Sequence, residues 1–255
     1  PELGFDATDL VGAEGAPVVE WGGQTPFGTP VFRSAATPNG SPAVEFDGTA
    51  NLGQVTLQSS PTGDFIVAAV IRAQNTGAYH NLIDDDNSNR PMLWIDPAGK
   101  FELNFGGGSS PVVGTTGTDG WDIVIADSRN NQLYVNSPTP NGSGRDPVSW
   151  LEPTEDFDIL HRDDGQNFVG QLAELRVYND AAAFNENFAD LYDELFAKWI
   201  AESSIAFQIT SISRDPGTGA VTLTWNSRPG KTYSVQASGD MADFWDEVND
   251  SVASG

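Results

Sequence analysis

An acidic segment between residues 79 and 90 has the residue types best suited to chemistry in this sequence. Asp84, Asp85, Asp86 and Asn87 offer carboxylate and amide oxygens, and Ca²⁺ prefers about six to eight oxygen ligands. The segment is not an EF-hand, because it has neither the central Gly nor the terminal Glu of that loop. The pattern predicts a calcium site, with a solvated hairpin loop rich in Asp and Asn as the alternative.

Residues suited to binding a glycan occur in two places. Sugar rings stack on aromatic side chains, and their hydroxyl groups bond to polar side chains nearby. The candidates are Tyr79, His80 and Arg90 around the acidic segment, and Arg145 and Trp150 in and after the Gly-rich loop 141–146. A purely structural role for each residue is the alternative.

The seven tryptophans divide by their sequence context. We expect those in regularly patterned segments to be core residues and those in turn-rich segments to be exposed. The first group is Trp94, Trp121, Trp199 and Trp225, and the second is Trp21, Trp150 and Trp245.

Composition excludes several classes of function. The 36 acidic and 12 basic residues give a net charge of −24, so the protein repels nucleic acid and anionic lipid surfaces. There is no Cys, which excludes thiolate metal sites and a Cys nucleophile. No apolar run is long enough for a transmembrane helix. The strong acidity fits an extracellular or cell-surface setting, and the start at Pro1 indicates a processed or excised piece.

Short alternating segments between Gly- and Pro-rich turns predict an all-β fold. The 27 Gly and 16 Pro residues interrupt the chain about every ten positions. Alternation of apolar and polar residues places one face of each strand on a core, so we predict an antiparallel sandwich. The predicted strands are Phe65–Arg72, Met92–Ile95, Phe101–Phe105, Trp121–Ala126, Gln132–Val135 and Phe168–Tyr178.

One segment has the period of a helix. Its apolar stripe runs from Phe188 to Ile200, with Asn185 as the predicted N-cap. We expect this amphipathic helix to lie across the edge or the convex face of the sandwich, with a partner-binding helix as the alternative.

Residues 204–255 predict a second, smaller β module. Strands are expected at Ile205–Ser213, Ala220–Trp225 and Thr232–Ala237, with no closing strand before the end of the chain. A sandwich of this type needs about seven strands, so we predict that the module is truncated. It resembles a fibronectin type III-like module.

Residues 1–203 resemble the concanavalin A-like lectin/glucanase superfamily, in particular its bacterial laminin-G-like jelly-roll domains. Three segments carry the resemblance: the FDG turn at 46–48, the strand pair Trp121–Ala126 and Gln132–Asn136, and Phe168–Asn179. The chain departs from the family pattern at Asp122, where His is usual, and at Asn136–Ser137, where Asp-Gly is usual.

The resemblance implies a jelly roll that binds a glycan without catalysis, in a secreted or surface-attached bacterial protein with neighbouring domains. The E-x-D-x-x-E motif of the superfamily's glucanases is absent, and so are the Gly-x-Ser-x-Gly, P-loop and H-E-x-x-H motifs. We therefore expect no enzymatic activity. The alternatives are a glycoside hydrolase or polysaccharide lyase with an unrecognised site, and an adhesive module without a small ligand. Two clustered carboxylates, or a Tyr, His and Arg group, on a sheet face would favour an enzyme.

Overall fold

The structure is a computed structural model of the 255-residue chain, which divides into two compact units, Pro1–Glu202 and Ser203–Gly255. It describes residues 3–58, 65–74, 76–85, 91–103, 112–117, 120–143, 154–162, 165–178, 184, 187–201, 209–225, 232–237 and 246–253. Within these residues, no helix is long and apolar enough to cross a membrane.

The first unit is an antiparallel β-structure followed by a helix. Its strands are β1 (Leu3–Asp6), β2 (Val31–Arg33), β3 (Ala43–Asp47), β4 (Gly53–Gln58), β5 (Ile66–Ala73), β6 (His80–Asp85), β7 (Pro91–Ile95), β8 (Lys100–Leu103), β9 (Val112–Thr116), β10 (Asp122–Asp127), β11 (Gln132–Val135), β12 (Gly142–Ser143), β13 (Thr154–Ile159) and β14 (Val169–Tyr178). A 3₁₀ turn follows β1 at Ala7–Asp9.

These strands form two sheets, as the predicted sandwich requires. The described strands of the first sheet have the order β12-β11-β10-β5-β14-β3-β2, with β1 also paired to β14. The second sheet has the order β4-β13-β6-β7-β8-β9. Apolar side chains from both sheets, including Phe46, Val70, Leu103 and Phe157, are almost completely buried in one core. The all-β prediction is therefore confirmed.

The predicted helix covers the outer face of the first sheet. It runs as an α-helix, α1 (Phe188–Leu195), and continues as a π-helical turn, Phe196–Ile200. Its N-cap is Asn187, whose side chain accepts a hydrogen bond from the Ala189 amide at 2.9 Å. The predicted cap, Asn185, lies outside the described residues. The helix explains why Ile66–Ile71 of β5 are all buried, since this strand is covered on both faces.

A salt-bridge network joins this helix to the first sheet. Glu174 of β14 accepts hydrogen bonds from Lys198 and from the Trp199 indole, and Lys198 also bonds to Asp6. Arg176 bonds to both Glu174 and Glu194. Glu174 and Arg176 thus hold the helix in place.

Local hydrogen bonds explain the turn at residues 46–48 and the hairpin between β10 and β11. Asp47 Oδ1 accepts hydrogen bonds from the amides of Thr49 and Ala50, which closes the turn around Gly48 at φ +86°. Asn136 Nδ2 donates to Asp122 Oδ1 at 2.6 Å, and the Ile123 amide donates to Asn136 Oδ1 at 2.9 Å. Asn136 therefore supports the hairpin between β10 and β11.

The second unit contains two strand pairs among its described residues. The strands β15 (Ile209–Arg214) and β16 (Val221–Trp225) form one pair, and β17 (Thr232–Ala237) and β18 (Asp246–Ala253) form the other. The prediction of three strands without a closing strand was wrong, because β18 pairs with β17. The sequence of β18 is rich in Asp and Asn, residue types that are depleted in strands, so its pattern did not predict one.

Candidate functional site

The outer face of the second sheet carries polar and aromatic side chains in two cross-strand rows. The first row follows strand pairing from Asn81 through Trp94 and Glu102 to Val113. Directly paired residues lie on the same face of a sheet, and the residues that alternate with them fill the core. The second row runs from Gln54 through Asp158 to Asp84.

Trp94 lies at the centre of the first row and is partly exposed. Its indole Nε1 donates a hydrogen bond to Glu102 Oε2 at 2.8 Å. The Tyr79 ring centroid lies 5.0 Å from the Trp94 centroid, and the Arg162 guanidinium lies 5.7 Å from it. These contacts fix the orientation of an aromatic ring at the protein surface.

Glu102 is an unusual carboxylate for an exposed sheet face. Burial raises its pKa, and the negative charge of Asp96 acts in the same direction, while the hydrogen bond from Trp94 and the charge of Lys100 partly offset both. The hydrogen bond from the Trp94 indole holds the Glu102 carboxylate in place.

Two carboxylates stand opposite each other in the second row. Asp84 and Asp158 are directly paired on neighbouring strands, and their side chains are only 7% and 9% exposed. Arg162 Nε lies 3.0 Å from Asp84 Oδ2, and His161 Nδ1 lies 3.7 Å from Asp158 Oδ2. Both basic residues follow β13 directly, so this segment supplies one basic side chain to each carboxylate.

Asn81 ties the same segment to the sheet. Its side-chain Nδ2 donates to the His161 carbonyl at 2.5 Å, and its backbone N–H donates to the Gln166 carbonyl at 3.0 Å. Its Oδ1 is buried and has no partner within the described part of the chain. We call the surface formed by Tyr79, Asn81, Asp84, Trp94, Glu102, Asp158, His161 and Arg162 the Trp94 face.

Two of the predicted glycan-binding residues, Tyr79 and His80, lie in the described part of the chain and differ in exposure. Tyr79 lies on the Trp94 face and is 37% exposed. His80 is only 3% exposed. The Val169 amide donates to its Nδ1 at 3.3 Å, and its Nε2 lies 2.9 Å from Thr76 Oγ1, within hydrogen-bond distance. Burial lowers the pKa of His80. The prediction that His80 contacts a glycan does not agree with this buried and fully bonded position.

The other predicted site residues are only partly described. Arg90, Arg145, Trp150, Asp86 and Asn87 lie outside the described residues. Asp85 ends β6, with its backbone paired to Phe157, and Asp84 pairs with Arg162. Within the described part of the chain, no three His, Cys, Asp or Glu side chains are grouped to hold a metal. Calcium at Asp84, Asp85, Asp86 and Asn87 stays a prediction.

Sequence reasoning missed most of the Trp94 face. Trp94 was expected in the core, but it alternates with buried Leu93 and Ile95 and so points outward. This alternation was the available signal, and Glu102 has the same phase between Phe101 and Leu103.

Trp21 was expected to be exposed and is 2% exposed. It packs edge-on against Phe5, and its indole donates to the Asp6 carbonyl at 2.9 Å. The turn-rich sequence around it gave no sign of this packing. Trp199 is buried as predicted, and Trp121 packs partly buried against the core.

Comparison with known proteins gives the following results. No protein-family model matches the chain, and no curated protein matches it significantly. Domain 4 of AbnA, a GH43 extracellular arabinanase from Geobacillus stearothermophilus in complex with arabinotriose, aligns at 15% identity and a TM-score of 0.44, covering 69% of this chain and 91% of that domain. Trypanosoma rangeli sialidase in complex with sialic acid aligns at 12% identity and a TM-score of 0.44, covering 76% of this chain and 32% of the sialidase. Ruminococcus gnavus IT-sialidase CBM40 bound to alpha2,3 sialyllactose aligns at 14% identity and a TM-score of 0.40, covering 58% of this chain and 95% of that module.

Proposed function

We propose that this chain is an extracellular, non-catalytic carbohydrate-binding module and that the Trp94 face holds the sugar. The observation that carries the proposal is a partly exposed Trp94 ring fixed by Glu102, Tyr79 and Arg162. A fixed aromatic ring offers an apolar surface for a sugar ring at little cost in conformational entropy.

The polar groups around Trp94 match the hydroxyl groups of a sugar. Carboxylates accept hydrogen bonds from hydroxyls, and a guanidinium donates to them. Glu102 and Arg162 are the partly exposed polar groups beside the Trp94 ring, and the nearly buried Asp84 and Asp158 add negative charge next to Arg162 and His161, in a protein with a net charge of −24. This balance favours a neutral glycan over a polyanionic one.

The test is binding of the full chain to neutral polysaccharides, such as arabinan, xylan, β-glucan and galactomannan, measured by affinity electrophoresis and calorimetry. We expect Trp94→Ala to weaken binding about tenfold or more, because the stacking surface is lost. Phe27→Ala is the matched control, since Phe27 is an aromatic residue that is 69% exposed elsewhere on the same unit.

Equal binding by wild type and Trp94→Ala would contradict the proposal. Equal weakening by both variants would indicate non-specific adsorption through exposed aromatic residues. Folding of each variant is checked by near-UV circular dichroism before binding is compared.

Catalysis at the same face is the second candidate. Asp84 and Asp158 are directly paired on neighbouring strands, and His161 lies close to Asp158. This pairing favours the candidate because glycoside hydrolysis uses two carboxyl groups. One carboxyl group would protonate the leaving oxygen while the other activates water or attacks the sugar carbon. Release of reducing ends by wild type, lost in Asp158→Asn, would support this candidate. Binding without any product release would favour the non-catalytic module.

A further inference from the structure

A cleft of about 520 Å³ lies on the outer face of the first sheet, apart from the Trp94 face. Side chains from β3, β5 and β14 and the residues next to them line it, among them Glu45, Asp47, Arg72, Gln74 and Gln171. This volume lies in the range of small-molecule sites, about 300 to 1,000 Å³.

Strand pairing puts the central polar groups of the cleft in one row. Gln171 on β14 is directly opposite Glu45 on β3 and Arg72 on β5. Gln171 Nε2 donates to Glu45 Oε2 at 3.0 Å, and Arg33 binds both oxygens of Glu45 at 3.1 and 3.0 Å. Glu45 is therefore fixed in position by partners on two sides.

Two groups in this row lack partners. Gln171 Oε1 is buried and accepts no hydrogen bond within the described structure. Arg72 is exposed, and the described residues offer its guanidinium no hydrogen bond or ion pair. A buried acceptor without a donor costs free energy, and an Arg carries five donors. A ligand that supplied both a donor and an acceptor would complete the row.

The charges of the cleft limit the class of ligand. Arg72 is the cationic side chain among the residues that line the cleft, next to the carboxylates of Glu45 and Asp47, and Arg33 is shared between Glu45 and Glu14, so the site does not favour an anion. Asp47 Oδ1 is already used by the turn to Thr49 and Ala50. Hydroxyl groups both donate and accept, whereas amines and carboxylates supply only one of these functions when charged.

We propose that this cleft binds one hydroxyl-rich unit, such as a neutral monosaccharide or the end of a glycan chain. Arg72 donates to the hydroxyl oxygens, and Gln171 Oε1 and the second carboxylate oxygen of Asp47, Oδ2, accept from the hydroxyl hydrogens. This site is independent of the Trp94 face, because the two lie on the outer faces of different sheets. Without an exposed aromatic ring lining the cleft, binding here depends on hydrogen bonds.

The experiment is an NMR titration of the full chain with glucose, galactose, xylose and arabinose at millimolar concentration. We expect shifts at the Arg72 Nε–H, the Gln171 side-chain amide and the Gly170 amide. Arg72→Met should weaken this response about tenfold or more, because it removes charge-assisted hydrogen bonds. Arg214→Met makes the same change at an exposed position of the second unit and should leave the response unchanged.

Trp94→Ala separates this site from the proposed glycan face. Shifts at Arg72 and Gln171 that persist in Trp94→Ala support a second site. Sugar shifts confined to the Trp94 face, or insensitive to Arg72→Met, would overturn the cleft proposal while leaving the proposed function intact. Loss of binding at the Trp94 face alone would overturn the proposed function and not this one.

Discussion

The two outer faces of the sandwich contain the same three-part arrangement in different environments. On the first sheet, the Trp199 indole donates to Glu174, and the Lys198 ammonium lies 4.8 Å from the Trp199 ring centroid. On the second sheet, the Trp94 indole donates to Glu102, and the Arg162 guanidinium lies 5.7 Å from the Trp94 ring centroid. Trp199 is completely buried, whereas Trp94 is partly exposed.

The comparison shows that burial, and not side-chain chemistry, separates a structural contact from a candidate binding surface. The first face is covered by the helix that itself supplies Trp199 and Lys198, so its polar groups satisfy one another. In the second arrangement, all three side chains come from the sheet and the segment after β13, and the aromatic ring still reaches the surface. The same bonds thus fasten a helix in one place and fix the orientation of a surface ring in the other.

Removing the two indoles should give the largest difference between the faces. Trp199→Ala should lower the free energy of unfolding by about 3 to 5 kcal/mol, because it leaves a cavity and a buried Glu174 without one donor. Trp94→Ala should lower it by less than about 1.5 kcal/mol, since less of its ring is buried. Urea denaturation of the full chain measures both values. Equal losses would show that the two faces are equally structural.

Removing the positive charge of Lys198 should have an intermediate effect on the free energy of unfolding. Lys198→Met should cost about 1 to 2 kcal/mol, because Asp6 and the buried Glu174 each lose a charged donor. The variant should also make the helix more sensitive to limited proteolysis. Lys100→Met, at an exposed position on the second sheet, is the control and should change stability by less than about 0.5 kcal/mol. No difference between these two variants would argue against the network.

Tyr79 offers a smaller test on the open face. Tyr79→Ala should reduce stability by less than about 1 kcal/mol, because the side chain is 37% exposed. It should nevertheless weaken glycan binding several-fold, because the Trp94 ring loses a packing partner. Tyr79→Phe retains the ring and is the matched control. A stability loss as large as that of Trp199→Ala would place Tyr79 in the core instead.

The smallest expected effect is a pH dependence of opposite sign at the two faces. Burial raises the pKa of Asp6, but hydrogen bonds from Lys198 and Thr8 outweigh it and lower the pKa below the ordinary value of 3.8. Asp6 therefore stabilises the fold above that pH, and its contribution is lost as the pH falls through the folded pKa. For Glu102, burial raises the pKa above the ordinary value of 4.5, so ionisation destabilises the fold at neutral pH.

Denaturation of Asp6→Asn and Glu102→Gln from pH 7 to pH 2 checks both signs. Asp6→Asn should be less stable than wild type at pH 7, and the difference should shrink below about pH 4. Glu102→Gln should not be less stable than wild type at pH 7, and any gain should disappear in acid, where wild-type Glu102 is protonated. If the stability of both variants relative to wild type changed with pH in the same direction, the opposite pKa shifts of Asp6 and Glu102 would be contradicted.

The strands and the helix followed from local patterns in the sequence. The prediction of Gln132–Val135 agrees with β11, and those of Trp121–Ala126 and Phe168–Tyr178 agree with β10 and β14 within one residue. Alternation and helical period depend on which face each residue presents, and this is a property of neighbouring residues alone. The same reasoning predicted a buried Trp199.

The candidate site was decided by tertiary structure. Arg162 and Trp94 are far apart in sequence, and only the pairing of β13 with β6 and of β6 with β7 brings them together. The buried positions of Trp21 and His80 also depend on distant partners, Phe5 and Val169. A single sequence specifies the alternation within a strand, but which strands become neighbours is set by packing of the whole core. The sequence alone therefore determined the strongly patterned strands and the helix, and the tertiary structure determined which polar side chains meet on the surfaces left open.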